Sequence, residues 1–222
     1  MKTPTIAGFL LLGGFCVMFP ACGKSAPSQG PGASPREALI KAVSAMYDAK
    51  SYRFKLVQTG SMGLDLGMEG EYAAPDRYRT IGEGSLDGSG SGRQEIVAIG
   101  EQTFVKSPLG KWERMESKRQ RTSLDSLRDR ILVVRFTNAK DADIRFIGKE
   151  DLDGRPVFVY EHSVPTSGVE NRIKVWVGVQ DSFPYKTEMV VGLSLSGRIM
   201  RATTTTTYSD YNAESIRIVA PM

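Results

Sequence analysis

Residues 61–72, SMGLDLGMEGEY, alternate with period two. Met62, Leu64, Leu66, Met68 and Tyr72 share one parity, and Asp65, Glu69 and Glu71 share the other with Gly63 and Gly67. Such a pattern puts an apolar and a wet set on opposite faces of a strand. The glycines, on the wet face, would let that strand bend. The same alternation recurs in Tyr52, Phe54 and Leu56 against Arg53 and Lys55, and DRYRTI (76–81) reads as a third strand. QEIVAI, QTFVKS and KWERM follow as short strands, separated by the turn residues Gly100-Glu101 and Pro108-Leu109-Gly110. Further strands are predicted at 143–149, 156–164, 170–179, 185–192, 198–208 and 215–219, with hairpin turns at Asp153-Gly154 and Ser196-Gly197.

Two segments carry helical periodicity. Ser34-Pro35-Arg36-Glu37 combines an N-cap, a proline at the first helical position and a capping-box glutamate. Leu39, Val43, Met46 and Tyr47 then recur at helical spacing, which predicts a helix over 35–48. Ser123 caps a second, with Leu124, Leu127, Ile131 and Leu132 as its stripe. Residues 82–92, GEGSLDGSGSG, lack core-forming side chains and read as a mobile loop. No repeat of propeller or solenoid length is evident. The expected fold is mainly β. A single curled antiparallel sheet would form an incomplete, half-open barrel, with a few helices covering its concave side.

The ends change the picture. Residues 1–22 have one early lysine, an apolar run from Ile6 to Met18, and a small residue before Cys22. They read as a lipoprotein-type signal peptide with lipidation at Cys22. Cys16 falls inside that segment, so the mature chain would keep no cysteine pair. Residues 23–34, GKSAPSQGPGAS, have the composition of a flexible tether, and 35–222 then form one domain. Net charge is +4, with basic residues dispersed among acidic ones, so a nucleic-acid partner is not expected. The basic run KWERMESKRQR (111–121) fits a solvated strand end, or a contact with anionic head groups.

Catalytic patterns are missing. His162 is the single histidine, in a strand pattern, and no G-x-S-x-G elbow accompanies it. Zinc sites need Cys and His clusters that this composition lacks. GSGSG at 88–92 has no Gly-Lys-Ser/Thr ending, so it is not a phosphate-binding loop. No enzyme activity, metal or cofactor is expected.

Three stretches resemble one family. AKSYRFKLVQTG, following the helix, is similar to the start of the periplasmic lipoprotein carrier and receptor group (LolA/LolB-like) with its mycobacterial lipoprotein relatives. VWVGVQDSFPYKTEMVV resembles the group's strand–turn–strand, and YSDYNAESIRIVAP its tail. The matching positions are Trp176, Asp181, Pro184, Lys186, Tyr208, Asp210, Tyr211, Asn212, Ile218 and Pro221. The resemblance spans most of 35–222. It implies an apolar cavity for acyl chains of lipids or lipoproteins, used in transport or localisation. The residues assigned to that cavity are Tyr52, Phe54, Leu56, Leu64, Leu66, Met68, Tyr72, Leu127, Ile131, Val175, Val177, Met189 and Val191. The soluble carrier has no lipidated cysteine, so Cys22 favours a membrane-anchored protein in the cell envelope, facing the periplasm. The outer membrane is expected rather than the inner if the cell is Gram-negative. Partner lipoproteins or transport machinery are the implied contacts. The alternatives are a non-catalytic sensor or interaction domain on the same fold, or a structural envelope lipoprotein without cargo.

Overall fold

The computed structural model describes residues 32–60, 65–84, 92–106, 109–115, 140, 143–166, 169–195 and 198–221. The predicted first helix is α1, Pro35–Asp48. Its start is fixed locally. The Glu37 amide donates to Ser34 Oγ at 3.3 Å, and the Ser34 amide donates to Glu37 Oε2 at 2.9 Å. This reciprocal pair satisfies two of the donors that a helix start leaves open. Leu39, Ala42, Val43 and Met46 are its buried stripe.

Eleven strands form one sheet: β1 (Ser51–Gly60), β2 (Leu66–Ala73), β3 (Arg77–Gly84), β4 (Gly92–Ile99), β5 (Gln102–Lys106), β6 (Trp112–Met115), β7 (Ile144–Leu152), β8 (Arg155–Thr166), β9 (Val169–Gly178), β10 (Pro184–Leu195) and β11 (Arg198–Ser209). Every pairing is antiparallel. The order is β6-β5-β4-β3-β2-β1-β11-β10-β9-β8-β7, so the sheet is not closed into a barrel. Each half is a meander of neighbouring strands, and β1 beside β11 joins them. At Asp153-Gly154 both residues have positive φ, 53° and 80°, as a two-residue hairpin turn requires. Register shifts between Phe146 and Gly148 and between Pro184 and Lys186 bend the second half.

α1 packs against β7 and β10. Its stripe shares one core with Tyr52, Tyr72, Tyr78 and Ala98 from one half, and with Tyr208, Val175, Ile173, Tyr160 and Ile144 from the other. This face is called inner below. A smaller cluster on the outer face joins Val157, Val159, Trp176 and Tyr185.

Two expectations need correction. Residues 215–219 are not a strand, although Ile216 and Ile218 are buried. The reason is topological: the tail leaves the sheet from β11, whose two edges are already occupied by β1 and β10. The Ile218 carbonyl accepts instead from the Arg77 guanidinium at 3.0 Å. Residues 82–84 and 92, expected in a loop, belong to β3 and β4, with Gly84 paired to Gly92. Among the described residues α1 is the one helix. The expected helix over 123–132 lies outside the described residues, as do 1–31, including the signal segment and Cys22.

Candidate functional site: the inner face of the sheet

Register sorts the side chains into rows across the sheet. One row runs Met68–Leu56–Thr206–Thr187–Val175–Tyr160–Phe146, and the next runs Leu66–Gln58–Thr204–Met189–Ile173–His162–Ile144. Both lie on the face that carries α1. Strand alternation thus brings Tyr52, Phe54, Leu56, Leu66, Met68, Tyr72, Val175, Val177, Met189 and Val191 to one surface. Leu64, Leu127 and Ile131 lie outside the described residues.

These residues fall into two environments. Tyr52, Tyr72, Val175 and Val177 are buried in the core with α1, and Leu56 is buried beside them in register. Tyr52 and Tyr72 lie 5.0 Å apart between ring centroids, and Tyr72 and Tyr78 lie 5.1 Å apart, so the three rings form a ladder over β1–β3. Phe54 and Met189 are half-buried and pack against that core, whereas Leu66, Met68 and Val191, with Met200 on the same face of β11, are half-buried outside it. Aliphatic surface therefore continues beyond the end of the sheet that α1 covers.

The same face has a polar seam that sequence reading passed over. Thr187, Thr206 and Tyr208 are 3%, 1% and 5% exposed, on β10 and β11. Beyond them Thr204 Oγ1 donates to Gln58 Oε1 at 3.3 Å. Burial pushes the Tyr208 hydroxyl well above the ordinary tyrosine range, with Thr187 and Thr206 partly opposing. In the sequence, TTTTT (203–207) reads only as strand-compatible. Its division into an inner and an outer set needs the pairing with β1 and β10.

The residues that carried the family resemblance hold the strand ends. Asp181 accepts from the Tyr185 hydroxyl at 2.6 Å, and Arg155 stacks over the same ring at 3.6 Å. Lys186 sits 4.5 Å over the Trp176 ring, and Trp176 Nε1 donates to Glu150 at 2.8 Å. Tyr211 stacks on Phe183 at 4.1 Å and donates to the Pro184 carbonyl at 2.6 Å. Asn212, at φ 60°, accepts from the Lys50 amide at 2.7 Å and donates its own amide to the Ser51 carbonyl at 2.8 Å. All are structural clamps. His162 is similarly structural: it is buried, and its Nδ1 donates to the Asp143 carbonyl at 3.0 Å.

The outer face is charged. Arg53 bridges Glu71 and Asp210 at 2.9 and 3.0 Å, and Arg79 and Lys106 converge on Glu95 at 2.7 and 3.4 Å. An open groove of about 400 Å³ runs there, with Arg53, Lys55, Glu69, Glu71, Arg79 and Ile81 among its walls. Its cations are already bridged to carboxylates or faced by them, and it is not lined like an acyl-chain site. Among the described residues no group of three or more His, Cys, Asp or Glu is placed to hold a metal.

No protein-family model matches the sequence, and no curated protein matches it. Solved structures do. The lipoprotein LprF of Mycobacterium bovis aligns with a TM-score of 0.59 at 12% identity, over 84% of this chain and 96% of that one. The lipoprotein LppX of Mycobacterium tuberculosis aligns with a TM-score of 0.54 at 12% identity, over 85% of this chain and all of that one. The chain has the fold of the mycobacterial lipoproteins LppX and LprF. The resemblance read from the sequence thus holds at the level of the fold. A LolA superfamily protein from Nitrosomonas europaea also matches, with a TM-score of 0.29 at 16% identity over 83% of this chain and 96% of that one, a likeness that carries no weight here. In the LppX/LprF fold as this chain builds it, the inner face is the surface with apolar area beyond the helix.

Proposed function

We propose that this protein is a non-catalytic, exported envelope lipoprotein that holds acyl chains of lipids or lipoproteins against its inner face, for transport or localisation. One observation carries the reading. Among the described residues, the apolar inner face extends past the core built on α1 into half-buried Leu66, Met68, Val191 and Met200. Unbranched methionines suit chains of mixed shape. Burying an acyl chain contributes about 0.8 kcal/mol per methylene before association and ordering costs. The likeness to two lipoproteins of the same fold supports the cellular setting. Among the described residues no helix is long and apolar enough to cross a membrane. The attachment proposed is the lipid on Cys22, the residue that ends the lipoprotein-type signal, and it would need more than one acyl chain to be stable.

Lipid mass spectrometry on natively purified protein tests the binding. Co-purifying lipid, or binding of a fluorescent acyl probe, is expected. A protein free of lipid that ignores probes of every chain length would instead be a structural lipoprotein with a filled core. Intact-mass measurement of membrane-extracted protein tests the anchor, and an unmodified Cys22 rejects it.

A further inference from the structure

A buried hydroxyl without a hydrogen-bond partner costs free energy, so each one calls for a reason. Tyr208 Oη is such a group. It sits near the middle of the eleven-strand sheet, on β11, where Tyr208 pairs with Phe54 of β1. The hydroxyls of Thr187 and Thr206, themselves buried and paired across β10 and β11, flank it without completing a well-aligned bond. Leu56, Met68 and Phe54 lie on one side of this polar spot and Val175, Met189 and Ile173 on the other, with the Gln58–Thr204 pair as the polar exception in the next row. Phenylalanine at position 208 would keep the ring and remove the unmet donor. The hydroxyl is therefore unexplained by packing alone.

We propose that Tyr208, assisted by Thr187 and Thr206, is the hydrogen-bonding anchor for the acyl carbonyl oxygen of the bound ligand. This rests on the acyl-chain reading above and deepens it. A phenol donates one hydrogen bond, and a carbonyl only accepts, so an ester or carboxyl oxygen is the matching ligand atom. Threonine hydroxyls can donate or accept, which lets them serve the carbonyl as well as a carboxylic acid's own proton. The anchor would fix where along the sheet a chain begins, while the aliphatic rows take the tail without regard to length. Because Tyr208 Oη is enclosed, the carbonyl reaches it only when a neighbour moves. Met189, half-buried, packed against the same core and two residues along β10 from Thr187, is a flexible side chain close to the seam.

The test uses Tyr208→Phe in the full chain, with Thr187→Val as a second variant. Two fluorescent probes of equal chain length are titrated, one joined through an acyl ester carbonyl and one through an alkyl chain with no carbonyl. The expected result is a loss of about five- to tenfold in affinity for the ester probe with Tyr208→Phe, a smaller loss with Thr187→Val, and no change for the alkyl probe. The melting temperature of Tyr208→Phe should be unchanged or higher, because a buried unmet donor has been removed. Equal affinities of wild type and variant for the ester probe would overturn the anchor and leave acyl binding intact. An equal loss for both probes would also overturn it, since the variant would then have damaged the surface itself. Failure of both probes on the wild type would overturn the acyl-chain reading and the anchor with it.

Discussion

Gly70 has no side chain because Phe54 fills the space where one would go. The two residues are cross-strand partners, and a Cβ on Gly70 would lie 2.6 Å from the Phe54 ring and 2.7 Å from the Arg79 carbonyl. Neither the ring nor the backbone oxygen can yield without disturbing a strand. Gly70→Ala should therefore cost about 1–3 kcal/mol in urea unfolding. Gly67→Ala is the control, since its added Cβ would meet nothing closer than 3.8 Å. Glu95 makes a second residue-scale prediction. Burial pushes its carboxyl up, but hydrogen bonds and charge from Arg79 and Lys106 outweigh this and hold it below its ordinary 4.5. The folded state thus binds its proton less readily than the unfolded chain. The stabilisation is present above about pH 4.5 and is lost as pH falls through the lower folded value. Melting temperature against pH should fall less steeply on the acid side in Glu95→Gln than in wild type. Identical acid limbs would show that the bridge contributes nothing.

At the scale of elements, legibility follows locality. The start of α1 was readable because Ser34, Pro35 and Glu37 settle it among themselves. Ser34→Ala should cost about 1 kcal/mol in thermal or chemical unfolding, and a much smaller value would mean that packing against β7 and β10 alone holds the helix. Alternation made most strands readable, because each buries one face. What failed depends on neighbours that the local sequence does not name. Ile216 and Ile218 alternate like a strand, yet no open edge is in reach of the tail. Gly82 and Gly84 look like loop residues, yet the β3–β4 ladder carries through them. The candidate site divides in the same way. That Leu66 and Met68 share a face with Phe54 was evident from parity. That Tyr52, Tyr72 and Val175 go to the core with α1 while Leu66 and Met68 stay half-buried depends on where α1 lands. The Tyr208 seam was hidden for the same reason, since Thr187 lies 19 and 21 positions from Thr206 and Tyr208 in sequence and meets them only across β10 and β11.

At the scale of the whole molecule, the contrast among the described residues is between a wet outer face and an inner face that α1 covers only in part. Leu66→Glu tests what the uncovered part is for. A half-buried position at the end of β2 should tolerate the charge with about 1 kcal/mol or less of lost stability. Acyl-probe affinity should fall about tenfold or more, because the charge enters the apolar surface that the chain would occupy. Stability collapsing in step with binding would mark Leu66 as core. The junction of β1 and β11 has a different consequence, one of timing. Within each half, strands pair with sequence neighbours, so each meander forms from short loops. The central seam joins Lys55 to Thr207, and it must close a loop running through nearly the whole domain. Loop closure of that span is the slow, non-local event in folding. A chain that emerges from its N-terminus would therefore hold two separate meanders, with their central edges unpaired, until the last strand has been delivered.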